Sequence, residues 1–132
     1  MLKKVLIIIA VLYVGIVAAF ESLLGYYQPA DDKTMVITTF DGEGHGADRV
    51  VARLESDGNL YVAANHWPRA WFQAALENDA VEITFNGKTL PYTAVLLGGA
   101  DHDRVNNAHA LPFAFRVLTG FPPRYLMRLD PR

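Results

Sequence analysis

Val5 to Phe20 is sixteen residues without a charge or a proline, directly after Met1-Leu2-Lys3-Lys4. A helix that is hydrophobic on every face has no side to offer water, and this run is too long for the interior of a small domain. Crossing a bilayer takes about 20 apolar residues, and Leu2 or the segment Leu23 to Tyr27 extends the run close to that. The sequence therefore predicts a membrane segment or a signal peptide. Val17-Ala18-Ala19 offers small residues of the kind a signal peptidase accepts, with cleavage after Ala19. An uncleaved, single-pass anchor is the favoured expectation, because the run lacks a helix-breaking end and Tyr26 and Tyr27 suit the membrane interface. Lys3 and Lys4 precede the run while Glu21, Asp31 and Asp32 follow it, an order that favours an N terminus in the cytoplasm and an extracytoplasmic domain. The chain divides into an anchor at 1–27, a polar linker at 28–34 and one domain at 35–132.

Beyond the linker the apolar pattern changes period. Met35 to Phe40 is rich in β-branched residues and reads as a strand. Asp41-Gly42-Glu43-Gly44-His45-Gly46 reads as a flexible turn, Val50 to Leu54 as the second strand, and Ser56-Asp57-Gly58-Asn59 as a hairpin turn into Leu60 to Ala63. Trp71, Ala74, Ala75 and Leu76 suit one face of a helix that begins near Pro68 or Arg69. Val81 to Phe85 alternates apolar and polar residues, Asn86-Gly87 is a favoured hairpin dipeptide, and Lys88 to Leu97 returns. Asp101-His102-Asp103 starts a short polar helix that either acid could cap, and Phe113 to Thr119 makes a further helical turn or two before Gly120 and Pro122-Pro123. Arg124 to Leu129 is a last strand. The fold class is mainly β (α+β): an antiparallel barrel of about six strands with one main helix and short C-terminal helices, preceded by the transmembrane helix.

Charge and composition exclude several functions. A net charge of -2 provides no basic field for nucleic acid. With no cysteine there is no disulfide, thiolate nucleophile or cysteine-held metal. His66 is solitary, and His102 and His109 have no carboxylate at ligand spacing, so no metal site is expected. No Ser-His-Asp or paired-carboxylate pattern marks a catalytic residue. The richest chemistry lies at the strand-to-helix junction, where Asn65, His66, Trp67, Arg69 and Trp71 gather an amide, an imidazole, a guanidinium and two indoles. The backbone donors of the helix start there favour an anion. Structural roles stand beside the binding ones: Trp67, Trp71 and Phe72 could fill the core, and Arg69 could pair with Asp79 or Glu82.

Val36-Ile37-Thr38-Thr39 before a glycine turn, Asp57-Gly58 with Leu60-Tyr61-Val62-Ala63-Ala64-Asn65, Pro68-Arg69-x-Trp71-Phe72, Ala75-Leu76-Glu77-Asn78, and Val81-Glu82-Ile83 with Gly87 carry a resemblance. Over Thr34 to Pro131 the chain resembles the deazaflavin-dependent nitroreductase and quinone reductase family, whose split β-barrel is similar to that of flavin-binding oxidoreductases of the pyridoxamine-phosphate-oxidase type. The resemblance implies a bound cofactor, coenzyme F(420) or FMN, placed by Asn65, His66, Trp67, Arg69 and Trp71, with hydride passing to a quinone- or nitro-compound-like small molecule. It also implies pairing of barrels into a homodimer. Family members carry a basic Gly-Arg-Lys-Ser-Gly turn after the first strand, where this chain has Asp41 to Gly46, so Arg49 and Arg53 are the nearby cations expected to substitute for it. The acidic turn keeps a second expectation open, a non-catalytic, membrane-tethered binding module that has lost the cofactor phosphate contacts.

Overall fold

The computed structural model describes residues 1–26, 32–65 and 70–132. Helix α1 (Leu2–Tyr26) leads into seven strands: β1 (Thr34–Phe40), β2 (Gly46–Ala52), β3 (Leu54–Ser56), β4 (Asn59–Ala64), β5 (Ala80–Phe85), β6 (Lys88–Leu96) and β7 (Tyr125–Pro131). Helix α2 (Ala70–Glu77) connects β4 to β5, while α3 (Gly99–Ala108) and α4 (Phe113–Leu118) lie between β6 and β7. All pairings are antiparallel, in the order β2-β1-β5-β6-β7-β4-β3, and the sheet curls so that β2 comes back towards β4. The result is a half-barrel.

Two of its turns follow directly from residue chemistry. Asp57 and Gly58 have φ of 52° and 77°, and Asn86 and Gly87 have 50° and 72°, the left-handed pair that a two-residue hairpin needs to match strand twist. A seventh strand appears because the second expected one is displaced. It begins earlier, at Gly46, where it pairs with Phe40, and breaks at Arg53, after which Leu54–Ser56 turns to pair with β4.

The core has two compartments divided by β4. Met35, Ile37, Val51, Val62, Val81, Ile83, Met127 and Leu129 meet Phe72 and Ala75 of α2 on one side. Tyr61, Ala63, Leu97 and Leu126 meet Val105 of α3 on the other. This explains why Leu60 to Ala63 reads as an unbroken apolar run: both faces of β4 are covered, whereas β1 and β5 alternate because only one is. Each fully buried aliphatic side chain such as Ile37 or Val81 contributes about 1.5–3 kcal/mol over its exposed state.

The helix starts differ in part from expectation. Pro68 and Arg69, the expected first residues of the main helix, lie outside the described residues, which resume at Ala70. Neither Asp101 nor Asp103 caps α3. Gly98 holds that position without a side-chain bond, and Asp101 sits within the first turn, where its charge complements the helix dipole. The chain makes the turn at Gly98-Gly99 first, with Gly99 at φ 57°, and that shifts the helix start away from the acids.

Candidate functional site

At the far end of β4 from the Asp57-Gly58 turn, four segments converge: the end of β2, Asn65, the start of α2 and the approach to α4. Arg49 occupies the same face of β2 as buried Val51, with Ile37 and Met35 as their cross-strand partners. Its Nη2 is shut off from solvent. Trp71 packs partly on the core, meets Phe72 edge-on at 5.9 Å, and leaves the rest of its indole to line space. Phe72 itself is core, stacked on Tyr125 at 5.3 Å.

Three cavities share these residues as walls. One of about 230 Å³ is lined by Arg49, Asn65 and Trp71 with Leu24, Leu111 and Phe115. A second of about 350 Å³ lies on the other side of Arg49 and Trp71 and reaches Thr39 and Asp48. A third of about 440 Å³ shares Asn65 and Leu111 with the first and extends to Arg116, Phe121 and Arg124. Arg49, Asn65 and Trp71 are thus brought together by the fold. Arg53 is not with them: it pairs with Glu55, lies 4.2 Å over the Phe85 ring, and borders a separate hollow of about 440 Å³ by the β3–β4 hairpin. The break after β2 causes this, because it takes Arg53 out of the alternation that would have aligned it with Arg49. His66, Trp67 and Arg69, and the suggested pairing of Arg69 with Asp79 or Glu82, lie outside the described residues.

Arg124, expected only as the start of the last strand, lines the third cavity and organises it. Its Nε donates to Asn65 Oδ1 at 2.8 Å, and Nη1 donates to Asn106 Oδ1 at 3.0 Å and to the His109 carbonyl at 2.6 Å. His102 Nε2 lies 2.9 Å from the Arg124 carbonyl. These acceptors are all neutral, and burial lowers the pKa of the guanidinium from its ordinary value because leaving water disfavours the cation. Only the Pro-Pro-Arg step before a strand hinted at this in sequence. The partners lie 15 to 59 residues away.

The acidic turn is tightly built. Asp41 Oδ1 accepts from the backbone N–H of Glu43 and of His45, each at 2.9 Å, and Oδ2 lies 3.2 Å from His45 Nδ1. The His45 and Glu43 amides, in that order, hold the Asp41 carboxyl below its ordinary value. Its charge is therefore engaged within the turn. Among the described residues no group of histidines and acids could hold a metal.

No protein-family model and no curated protein matches the chain. Solved structures do. A protein solved as a domain-swapped dimer is 19% identical, with a TM-score of 0.61 over 78% of this chain and 84% of its own. An F(420)-H2 dependent reductase is 18% identical, with a TM-score of 0.58 over 79% of this chain and 99% of its own. The heme storage protein HutZ from Vibrio cholerae is 16% identical, with a TM-score of 0.59 over 88% of this chain and 87% of its own. The chain has the split-barrel fold. At these identities the likeness is one of fold; in this chain a long apolar helix precedes the barrel, and its last turns reach the cavity wall at Leu24.

What the split barrel's cavities can do follows from their lining. Arg49 supplies a cation, Asn65 an amide and Trp71 an aromatic surface, which together suit a flat ligand with an anionic group. Ligand pockets of about 300–1,000 Å³ are usual, and the two cavities that meet at Arg49 and Trp71 fall in or near that range.

Proposed function

We propose that the chain is a membrane-anchored oxidoreductase of the nitroreductase and quinone reductase type that uses a flavin or deazaflavin. The observation that carries this reading is that Arg49, Asn65 and Trp71, three residues from separate segments expected to contact the cofactor, line one cavity, and that Arg49 and Trp71 also line a second. When bound, the cofactor supplies hydride transfer to a quinone- or nitro-compound-like acceptor. The chain's own residues place it and keep water away: Trp71 offers a face for the ring, Arg49 a charge for phosphate or a ring oxygen, and Asn65 a hydrogen-bonding edge held in place by Arg124. His66, Trp67 and Arg69 belong to the same proposed site through the resemblance. The long apolar helix supports a single-pass anchor, with the charge order of Lys3 and Lys4 against Glu21 favouring an extracytoplasmic barrel. The likeness to a domain-swapped dimer supports a homodimer.

Visible absorbance of the purified chain, followed by titration in detergent with FMN and with coenzyme F(420), tests the reading. Binding of one of them, weakened about tenfold or more by Arg49→Ala, is expected, since a charge-assisted contact contributes roughly 1.5–3 kcal/mol. No binding of either at tens of micromolar would favour the second reading, a tethered binding module. That reading is favoured by the turn itself, in which Asp41 and Glu43 stand where cations would meet a phosphate.

A further inference from the structure

Helix α4 packs against the apolar helix along one stripe about two turns long. Tyr13 donates its hydroxyl to the Val117 carbonyl at 2.8 Å, a Cβ on Gly120 would stand 3.1 Å from Val17 Cγ1, and Phe20 meets Phe115 edge-on at 5.9 Å. These contacts fall well inside the stretch Leu2–Leu24 that is long and apolar enough to cross a membrane. Leu2 to Tyr13 covers only about 17 Å at about 1.5 Å per residue, against about 30 Å of hydrocarbon. A helix that spans therefore carries α4 down to the level of lipid.

The outer side of α4 fits that level. Phe113 is 71% exposed and Phe121 47%, their rings 5.9 Å apart, and Leu118 is exposed beside them. The end of α4 leaves little for water to bond. Val117 O accepts from Gly120 N as well as Tyr13, Arg116 O from Phe121 N, and Phe115 O from Thr119 N, an arrangement that satisfies carbonyls ordinarily left to solvent. Arg116 lies 5.6 Å over the Phe121 ring, at the border between apolar surface and charge.

We propose that the Phe113–Leu118–Phe121 face is a second membrane contact, with α4 entering the bilayer beside the anchor. This rests on the reading of α1 as a membrane anchor. The third cavity, which Phe121 and Arg116 help to line, then sits at the lipid boundary.

The chain lacks cysteine, so single labels are unambiguous. Ile9→Cys, Phe113→Cys, Phe121→Cys and Lys88→Cys, each carrying an environment-sensitive fluorophore, are placed in the full chain in phosphatidylcholine/phosphatidylglycerol vesicles and quenched with nitroxide lipids. Lys88 is exposed at the opposite end of β6 from α3 and α4. Labels at 9, 113 and 121 should be quenched at least threefold more than the label at 88. Quenching at 9 with 113 and 121 no different from 88 overturns the proposal and leaves the anchor intact. Absence of quenching at 9 as well removes the anchor and this proposal together. Excimer formation by pyrene at 113 that rises with protein density, without lipid quenching, assigns the face to a second copy and overturns it too.

Discussion

Arg124 Nε donates to Asn65 Oδ1 at 2.8 Å, so the residue just before the last strand holds the residue just after β4, 59 positions earlier. Because that bond and the two from Nη1 occupy a partly buried guanidinium, its loss leaves several acceptors short at once. Arg124→Ala should lower stability by about 3 kcal/mol, and Asn65→Ala by about 1–3 kcal/mol, from bonds to a charged group. Thermal unfolding in detergent measures both. An unchanged midpoint for Arg124→Ala would remove its organising role.

The acidic turn separates two effects. Asp41 is engaged with its own turn, while the Glu43 side chain is 82% exposed. Asp41→Asn should destabilise slightly, through weaker bonds to the Glu43 and His45 amides. Glu43→Lys should leave unfolding unchanged and tighten cofactor binding a few-fold at low salt, an effect that added salt abolishes. Equal affinity for Glu43→Lys and the parent at low salt would show that the turn does not face the phosphate.

Acid should weaken the domain by a defined route. The backbone amides around Asp41, and the Arg128 guanidinium at Asp130, lower both carboxyl pKa values from an ordinary 3.8. The folded state then binds the proton less readily than the unfolded chain. The stabilisation is present above about pH 4 and is lost as pH falls through the folded values. Urea midpoints between pH 6 and pH 2.5 should fall for the parent and fall less steeply for Asp41→Asn with Asp130→Asn.

Gly120 carries two constraints, a φ of 75° and the closeness of Val17. Gly120→Ala places a side chain in the left-handed region, at about 1–2 kcal/mol, and pushes against α1. Val17→Ala in the same chain should recover the steric part and leave the backbone part. Full recovery would mean that the backbone conformation costs nothing there.

Much of the barrel was legible because local chemistry and global fold agree. Asn86-Gly87 and Asp57-Gly58 announce their hairpins, the alternation at Val81 to Phe85 announces a strand covered on one side, and Leu60 to Ala63 announces one covered on both. What could not be read was the break at Arg53, where pairing with β4 overrides the continuation of β2. That single kink decides that Arg49 joins the cavities and Arg53 does not. Arg124 was illegible for another reason. A lone arginine after two prolines names no partner by itself, and its partners are the residue after β4, a residue of α3 and the residue after α3.

β7, the last strand in chain order, lies in the middle of the sheet, between β6 and β4. Until it is made, β2-β1-β5-β6 and β4-β3 are two fragments with open edges and no sheet bonds joining them. A ribosome-bound chain has therefore finished α1 long before the barrel can close, and the edges of β4 and β6 stay open to other chains throughout that interval. Making β7 therefore closes both edges in a single step, and every sheet bond that joins the two fragments is contributed by the last strand in chain order.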